Sequence, residues 1–142
     1  MIRKCPSCGA SNRIPESHLA DTGRCGACKA MLGPASEPLE VDEPTFDAIA
    51  TQARVPVLVD FWAAWCAPCR MAAPHVAKTA ADMAGRALVV KVDTERHPQL
   101  AARFGVQGIP NFVVLKGGKT VFQQPGLVDS RTMVDWLSRA GS

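Results

Sequence analysis

The stretch Val55-Pro-Val-Leu-Val-Asp-Phe-Trp62-Ala-Ala-Trp-Cys66-Ala-Pro-Cys69-Arg70 sets an apolar run directly against a cysteine pair. The run from Val55 to Trp62 carries one charge, Asp60, and reads as a strand buried on both faces, the kind found inside an α/β sheet. The cysteines then open a helical pattern reaching to about Gly85, where glycine suits a C-terminal stop. A thiol at a helix N-terminus faces unsatisfied backbone N–H groups and the positive end of the helix dipole, both of which favour thiolate. Cys66 is therefore the candidate nucleophile, and Cys69, one turn on, is placed to attack a mixed disulfide formed on Cys66. Pro68 presets φ for the first turn and has no N–H to leave unpaired there. The bland alternatives are a third metal knuckle or two buried thiols. The knuckle lacks further ligands, because the other four cysteines fill a tetrahedral site among themselves.

Those four lie upstream as Cys5-Pro-Ser-Cys8-Gly9 and Cys25-Gly-Ala-Cys28-Lys29, a spacing that matches four-thiolate zinc sites. Residues 1–33 hold only Ile2, Ile14, Leu19, Met31 and Leu32 among turn residues, too few for a core, so a metal must supply the cohesion. One structural zinc per chain, on Cys5, Cys8, Cys25 and Cys28, is expected. His18 between the pairs is set aside as a ligand because four thiolates complete the shell. Residues 34–43 read as an acidic, proline-bearing linker in which Leu39 to Val41 offer a short edge strand, and residues 44–142 form the main domain.

Downstream of the cysteine helix, Ala87 to Asp93 reads as a second buried strand, followed by a short helix from Pro98 to Phe104. Asn111 to Lys116 and Lys119 to Gln123 make a hairpin around Gly117-Gly118, and Asp129 or Ser130 caps a last amphipathic helix bearing Met133, Trp136 and Leu137. A helix from Pro44 to Ala53 precedes the central strand. The order β-α-β then β-β-α predicts an α/β fold, a mixed sheet flanked by helices.

The net charge of +3 does not mark a nucleic-acid binder. Residues 34–142 carry 11 basic and 11 acidic side chains, and the excess lies around the N-terminal cysteines, where four thiolates on a divalent ion add about −2. No basic stripe tracks phosphates. No apolar run approaches the ~18 residues of a membrane span, and no apolar signal region precedes Cys5. A cytoplasmic monomer without nucleic-acid or membrane partners is expected.

Residues 37–142 resemble the thioredoxin family. The resemblance rests on Val59-Asp-Phe-Trp-Ala63, Trp65-Cys-Ala-Pro-Cys-Arg70, Val90-Lys-Val-Asp93, Phe104-Gly-Val106, Gly108-Ile-Pro110, Lys116-Gly-Gly118 and Pro125-Gly126, in order along the domain. With the four cysteines in front, the chain is similar to bacterial thioredoxins bearing an N-terminal zinc ribbon. Ala67 departs from the family's usual glycine, and Asn111 stands where threonine is common.

By itself Asp60 reads as an acid at a strand end or bulge facing solvent. The resemblance implies instead a buried carboxylate beneath the cysteines, protonated more readily than usual and able to relay a proton to or from Cys69 through water. Lys91 is then its partner if the side chain turns inward, and a solvated strand-end lysine if not. An X-Pro bond is ordinarily trans, yet the resemblance implies a cis Ile109–Pro110 bond that sets the Ile109 backbone against the sulfurs, where an extended client pairs with it. Trp65, Ala67, Pro68, Ile109, Pro110 and Gly126 then form a small, flat docking face for many clients.

The expected activity is protein-disulfide reduction, and the resemblance implies recharging by thioredoxin reductase, an NADPH-dependent flavoenzyme. The rival reading is a zinc-ribbon chaperone or client-binding module with little turnover, and a net oxidase or isomerase differs from the reductase only in redox potential and compartment. Catalytic reduction of an insulin-type disulfide separates enzyme from module.

Overall fold

The computed structural model describes residues 1–141. Two small antiparallel hairpins come first. β1 (Ile2–Lys4) pairs with β2 (Ser11–Arg13), and β3 (Gly23–Arg24) pairs with β4 (Met31–Leu32), each closing a cysteine knuckle. A short 3-10 turn, Glu16–His18, joins them.

The remaining strands build one sheet. β5 (Leu39–Glu40), β6 (Val57–Trp62), β7 (Leu88–Asp93), β8 (Asn111–Lys116) and β9 (Lys119–Pro125) lie in the order β5-β7-β6-β8-β9. β5, β7 and β6 are parallel, whereas β8 runs antiparallel to β6 and β9 antiparallel to β8. The expected mixed sheet is thus observed, with the apolar run from Val57 at its centre and the 39–40 segment as its edge. Gly117 and Gly118 both take positive φ, 59° and 78°, which a two-residue hairpin turn of this hand demands.

Alternation along β6 distributes its side chains between two cores. Val57, Val59 and Phe61 join Phe46 and Ile49 of α1 (Glu43–Gln52) and Leu100 of α3 (Pro98–Arg103) on one face. Leu58 joins Ala72, Val76 and Ala80 of α2 (Ala67–Asp82), together with Met133 and Leu137 of α4 (Ser130–Gly141), on the other. Asp60 and Trp62 share that second parity, so both point to the side that α2 covers. Helix starts are fixed locally: Asp42 Oδ1 accepts from the Thr45 N–H at 2.9 Å, and Asp129 Oδ1 accepts from the Thr132 N–H at 2.9 Å.

The N-terminal segment shares the sheet's own core. Leu19 is fully buried in the cluster formed with Phe46, Ile49 and the odd-numbered valines of β6, and its carbonyl accepts from the Ala35 N–H at 2.9 Å. Ala35, Leu39 and Val41 are buried there as well, so residues 34–43 are packed rather than extended through solvent. Burying a leucine this completely stabilises the fold by a few kcal/mol, and truncating it removes that burial and leaves a cavity. Leu19→Ala is therefore expected to destabilise the whole chain by about 2–4 kcal/mol in denaturant melts followed by tryptophan fluorescence. A loss below about 0.5 kcal/mol would show the two parts to be energetically independent.

Candidate active site and metal centre

The cysteine pair sits where the sequence pattern puts it, at the turn from β6 into α2. Cys66 is the N-cap of α2, and its Sγ accepts from the Cys69 backbone N–H at 3.2 Å. That hydrogen bond and the helix dipole both stabilise negative charge on this sulfur once it is reduced. Cys66 and Cys69 are joined as a disulfide across a Cα separation of 5.2 Å, so the structure is the oxidised form. Both residues are buried, with Trp62, Ala63 and Ile109 packed around them. The Arg70 guanidinium donates to the Ala64 carbonyl at 2.7 Å, tying the turn to the first turn of α2.

The expected docking residues converge on this turn. The Ile109–Pro110 bond is cis, and the Ile109 carbonyl oxygen lies 3.6 Å from Cys66 Sγ. Gly126, at φ 94°, donates its N–H to the Pro110 carbonyl at 2.8 Å, a conformation that a side chain would strain. Trp65, Ala67, Pro68 and Gly126 are exposed, Ile109 is half-buried and Pro110 is buried. Trp65 is 67 % exposed, its indole held by Glu95 Oε1 at 2.8 Å. Asn111, the departure from the threonine pattern, is buried and accepts from the Gln123 side-chain amide at 3.1 Å.

Asp60 is 2 % exposed, and its Oδ1 has no hydrogen-bond partner among the described residues. Burial pushes its carboxyl up to about 7, opposed by the Lys91 ammonium and reinforced by the Glu40 carboxylate. Lys91 is half-buried: it pairs in register with Asp60, and its Nζ lies 4.5 Å from the centre of the Trp62 ring. The Trp62 indole N–H is buried with no hydrogen-bond partner among the described residues. Glu40 lines the same cleft as Trp62, and burial pushes its carboxyl up, Lys91 pulls it down and Asp93 pushes it up again. Glu40 went unnoticed in the sequence because nothing near it marks its neighbours in space.

The four remaining cysteines cluster. Cys5 Sγ lies 3.7 Å from Cys28 Sγ, Cys8 Sγ lies 3.7 Å from Cys25 Sγ, and all four sulfurs fall within 4.8 Å of one another. A tetrahedron with metal–sulfur bonds of about 2.3 Å has edges of about 3.8 Å, so the sulfurs fit one four-coordinate ion. The Cys28 backbone N–H, the Asn12 side chain and the Ala27 backbone N–H hold the Cys25 thiol down to about 6, whereas Cys8, although pulled down by a backbone hydrogen bond at Ala10, is pushed up to about 11 by the Cys28 sulfur, burial and the other two sulfurs. Asn12, which the sequence pattern did not single out, links the knuckles. Its Oδ1 accepts from the Gly26 N–H at 2.9 Å, and its Nδ2 donates to the Ala10 carbonyl at 3.2 Å and to Cys25 Sγ at 3.5 Å. Lys29 occupies the left-handed region at φ 65°, the conformation that Gly9 takes at 76° in the first knuckle. His18 pairs with Asp21 at 2.7 Å instead of joining the sulfurs.

A cysteine pair at the N-terminus of a helix, on a mixed sheet and against a cis-proline loop, defines a protein built for thiol-disulfide exchange. Comparison with known proteins agrees. The Thioredoxin family model matches residues 37–139, and a zinc-ribbon model described as "Thioredoxin 2, N-terminal" matches residues 4–30. The chain is 40% identical to "Thioredoxin C-3" of Corynebacterium nephridii over 139 residues, covering 98% of this chain and 94% of that protein. It is 42% identical to "Thioredoxin 1" of a Nostoc species over 100 residues, covering 70% of this chain and 94% of that one. A solved mutant thioredoxin from Halobacterium salinarum superposes with a TM-score of 0.69 at 33% identity, over 76% of this chain and 94% of its own. The chain belongs to the thioredoxin family of disulfide oxidoreductases.

Asp60 gives the site a pH signature. Its folded pKa, about 7, exceeds the unfolded value of about 3.9, so between those values the native state binds more protons than the unfolded one. Stability from this group is present below the unfolded pKa and is lost as pH rises through the folded one. Asp60→Asn removes the ionisation, and its stability relative to the parent is expected to grow by about 2 kcal/mol from pH 5 to pH 8 in denaturant melts. A margin that does not change with pH would mean that Asp60 ionises as it does in water.

Proposed function

We propose that the chain is a protein-disulfide reductase whose Cys66/Cys69 dithiol reduces disulfides in client proteins. The observation that carries this reading is the pairing of an N-cap sulfur with a buried, raised-pKa acid on the same side of the sheet. The Cys66 thiolate attacks one sulfur of a client disulfide, and the other leaves as a thiolate that takes a proton from water. Cys69 then attacks the Cys66 sulfur of the mixed disulfide, releasing the second client thiolate, while Asp60 accepts the Cys69 proton through a bridging water. Two electrons pass to the client, and the chain is left with the disulfide seen here. A general base with a pKa near 7 suits proton transfer at neutral pH.

The exposed Trp65, Ala67, Pro68 and Gly126 receive an extended client segment, whose backbone pairs with that of Ile109 beside Pro110. Lys91 moderates the charge on Asp60. An NADPH-dependent flavoenzyme of the thioredoxin reductase class returns the dithiol. Cys5, Cys8, Cys25 and Cys28 hold one zinc ion, which leaves no open coordination position and supplies cohesion rather than chemistry. No helix among the described residues is long and apolar enough to cross a membrane. Reduced thiols and zinc thiolates suit the cytoplasm, and a monomer satisfies every part of the scheme.

The test is a pair of cysteine variants in catalytic insulin reduction, run on protein whose zinc content is measured in parallel. Cys66→Ser is expected to abolish turnover, and Cys69→Ser to accumulate client as mixed disulfide, with one zinc per chain throughout. Normal turnover by Cys69→Ser, or trapping by Cys66→Ser instead, would reverse the assigned roles. Stoichiometric client holding without turnover would replace the enzyme with a binding module.

A further inference from the structure

One row of side chains crosses three strands beneath the active site. Glu40 on β5 pairs in register with Lys91 on β7, and Lys91 pairs in register with Asp60 on β6. In-register neighbours on adjacent strands project from the same face, so two carboxylates flank one ammonium. The row runs from the interior to solvent: Asp60 is buried, Lys91 is half-buried, and Glu40 lies on the exposed edge strand. At that end a cleft of about 410 Å³ opens between Glu40, Asp42, Trp62, Asp93, Arg96 and His97. Lys91 Nζ rests over the Trp62 ring, 4.5 Å from its centre, and Trp62 lines the same cleft as Glu40.

This geometry rests on the reductase reading and deepens it. We propose that Glu40 is a positioning residue for disulfide exchange, which shares the Lys91 ammonium with Asp60 and so sets how readily Asp60 surrenders its proton. Two carboxylates compete for one cation. When Glu40 is ionised it neutralises much of the Lys91 charge and repels a second anion, so Asp60 keeps its proton. When Glu40 is neutral, Lys91 serves Asp60 alone and the Asp60 carboxylate forms at lower pH. Asp60 meets Lys91 from β7 and Glu40 from β5, while its β8 partner, Phe112, is apolar. Glu40 meets Lys91 and Asp93 from β7 and Trp62 from β6, with Arg96 beyond the end of β7. Cys69 enters from α2 on the face that Asp60 shares. Screening at the exposed edge keeps the coupling modest.

The experiment compares the full-length parent with Glu40→Gln and Glu40→Asp. The Asp60 carboxyl carbon is titrated by NMR in the oxidised protein, and insulin reduction is followed from pH 5 to pH 9. Glu40→Gln is expected to lower the Asp60 titration midpoint by about half a unit and to move the acid limb of the rate profile down with it. Glu40→Asp keeps the charge and is expected to leave both close to the parent. A structural role for the side chain would instead make the shortened Glu40→Asp the more perturbed variant, which overturns the proposal. So would an Asp60 midpoint that stays in place or rises in Glu40→Gln. A parent that titrates as described yet reduces no insulin would sink the reductase reading, whereas an unmoved midpoint in an active parent would sink the role of Glu40 alone.

Discussion

A carboxyl group with one oxygen unpartnered inside the sheet is the constraint on which this molecule turns. Asp60 lies in the most buried strand, flanked by Val59 and Phe61, which are completely buried. Sealing an unpaired charge there would cost several kcal/mol, so the group keeps its proton to about pH 7. Every neighbour bears on that proton. Lys91 draws the group toward ionisation, Glu40 opposes it, and α2 brings Cys69 over the same face. An acid held this way costs stability at neutral pH, which a fold tolerates when the group has chemistry to perform.

The cysteines at the two ends of the chain's chemistry are treated in opposite ways. Cys66 and Cys69 stand at a helix start, bonded to each other, with the Ile109 carbonyl at the mouth of the site. Cys5, Cys8, Cys25 and Cys28 are drawn into a tetrahedron by two hairpins, with Asn12 bracing one knuckle against the other. The same Cys-x-x-Cys spacing therefore serves redox exchange in one setting and metal binding in the other. The backbone decides which: a helix dipole favours one reactive thiolate, whereas paired hairpin turns bring four sulfurs to one point.

Much of this was legible in the sequence because it is written in local patterns. The apolar run at Val57 to Trp62, the Gly117-Gly118 turn and the three cysteine pairs each declare their structure within a few residues. The segments resembling thioredoxins added the cis bond at Pro110 and the burial of Asp60, neither of which residue chemistry alone dictates. What the sequence hid depends on pairing between distant strands. Glu40 and Asp60 are 20 positions apart and meet only through Lys91, whose register no local signal announces. Leu19 sits among turn residues with no periodicity, so its burial against Phe46 and Ile49 emerges only once the N-terminal segment packs on α1. Lys29 adopts a glycine-like φ because the second knuckle repeats the geometry of the first, whatever residue stands there.

The central claim is that Asp60 takes the proton that Cys69 must lose, and the rate of that one step tests it most directly. A client peptide can be loaded on Cys66 as a mixed disulfide and its release by Cys69 followed by stopped flow across pH 6 to pH 10, in the parent and in Asp60→Asn. The account predicts release at least about ten-fold slower in Asp60→Asn near pH 7, with the two rates converging at high pH where the thiol ionises unaided. Equal rates at every pH would contradict it.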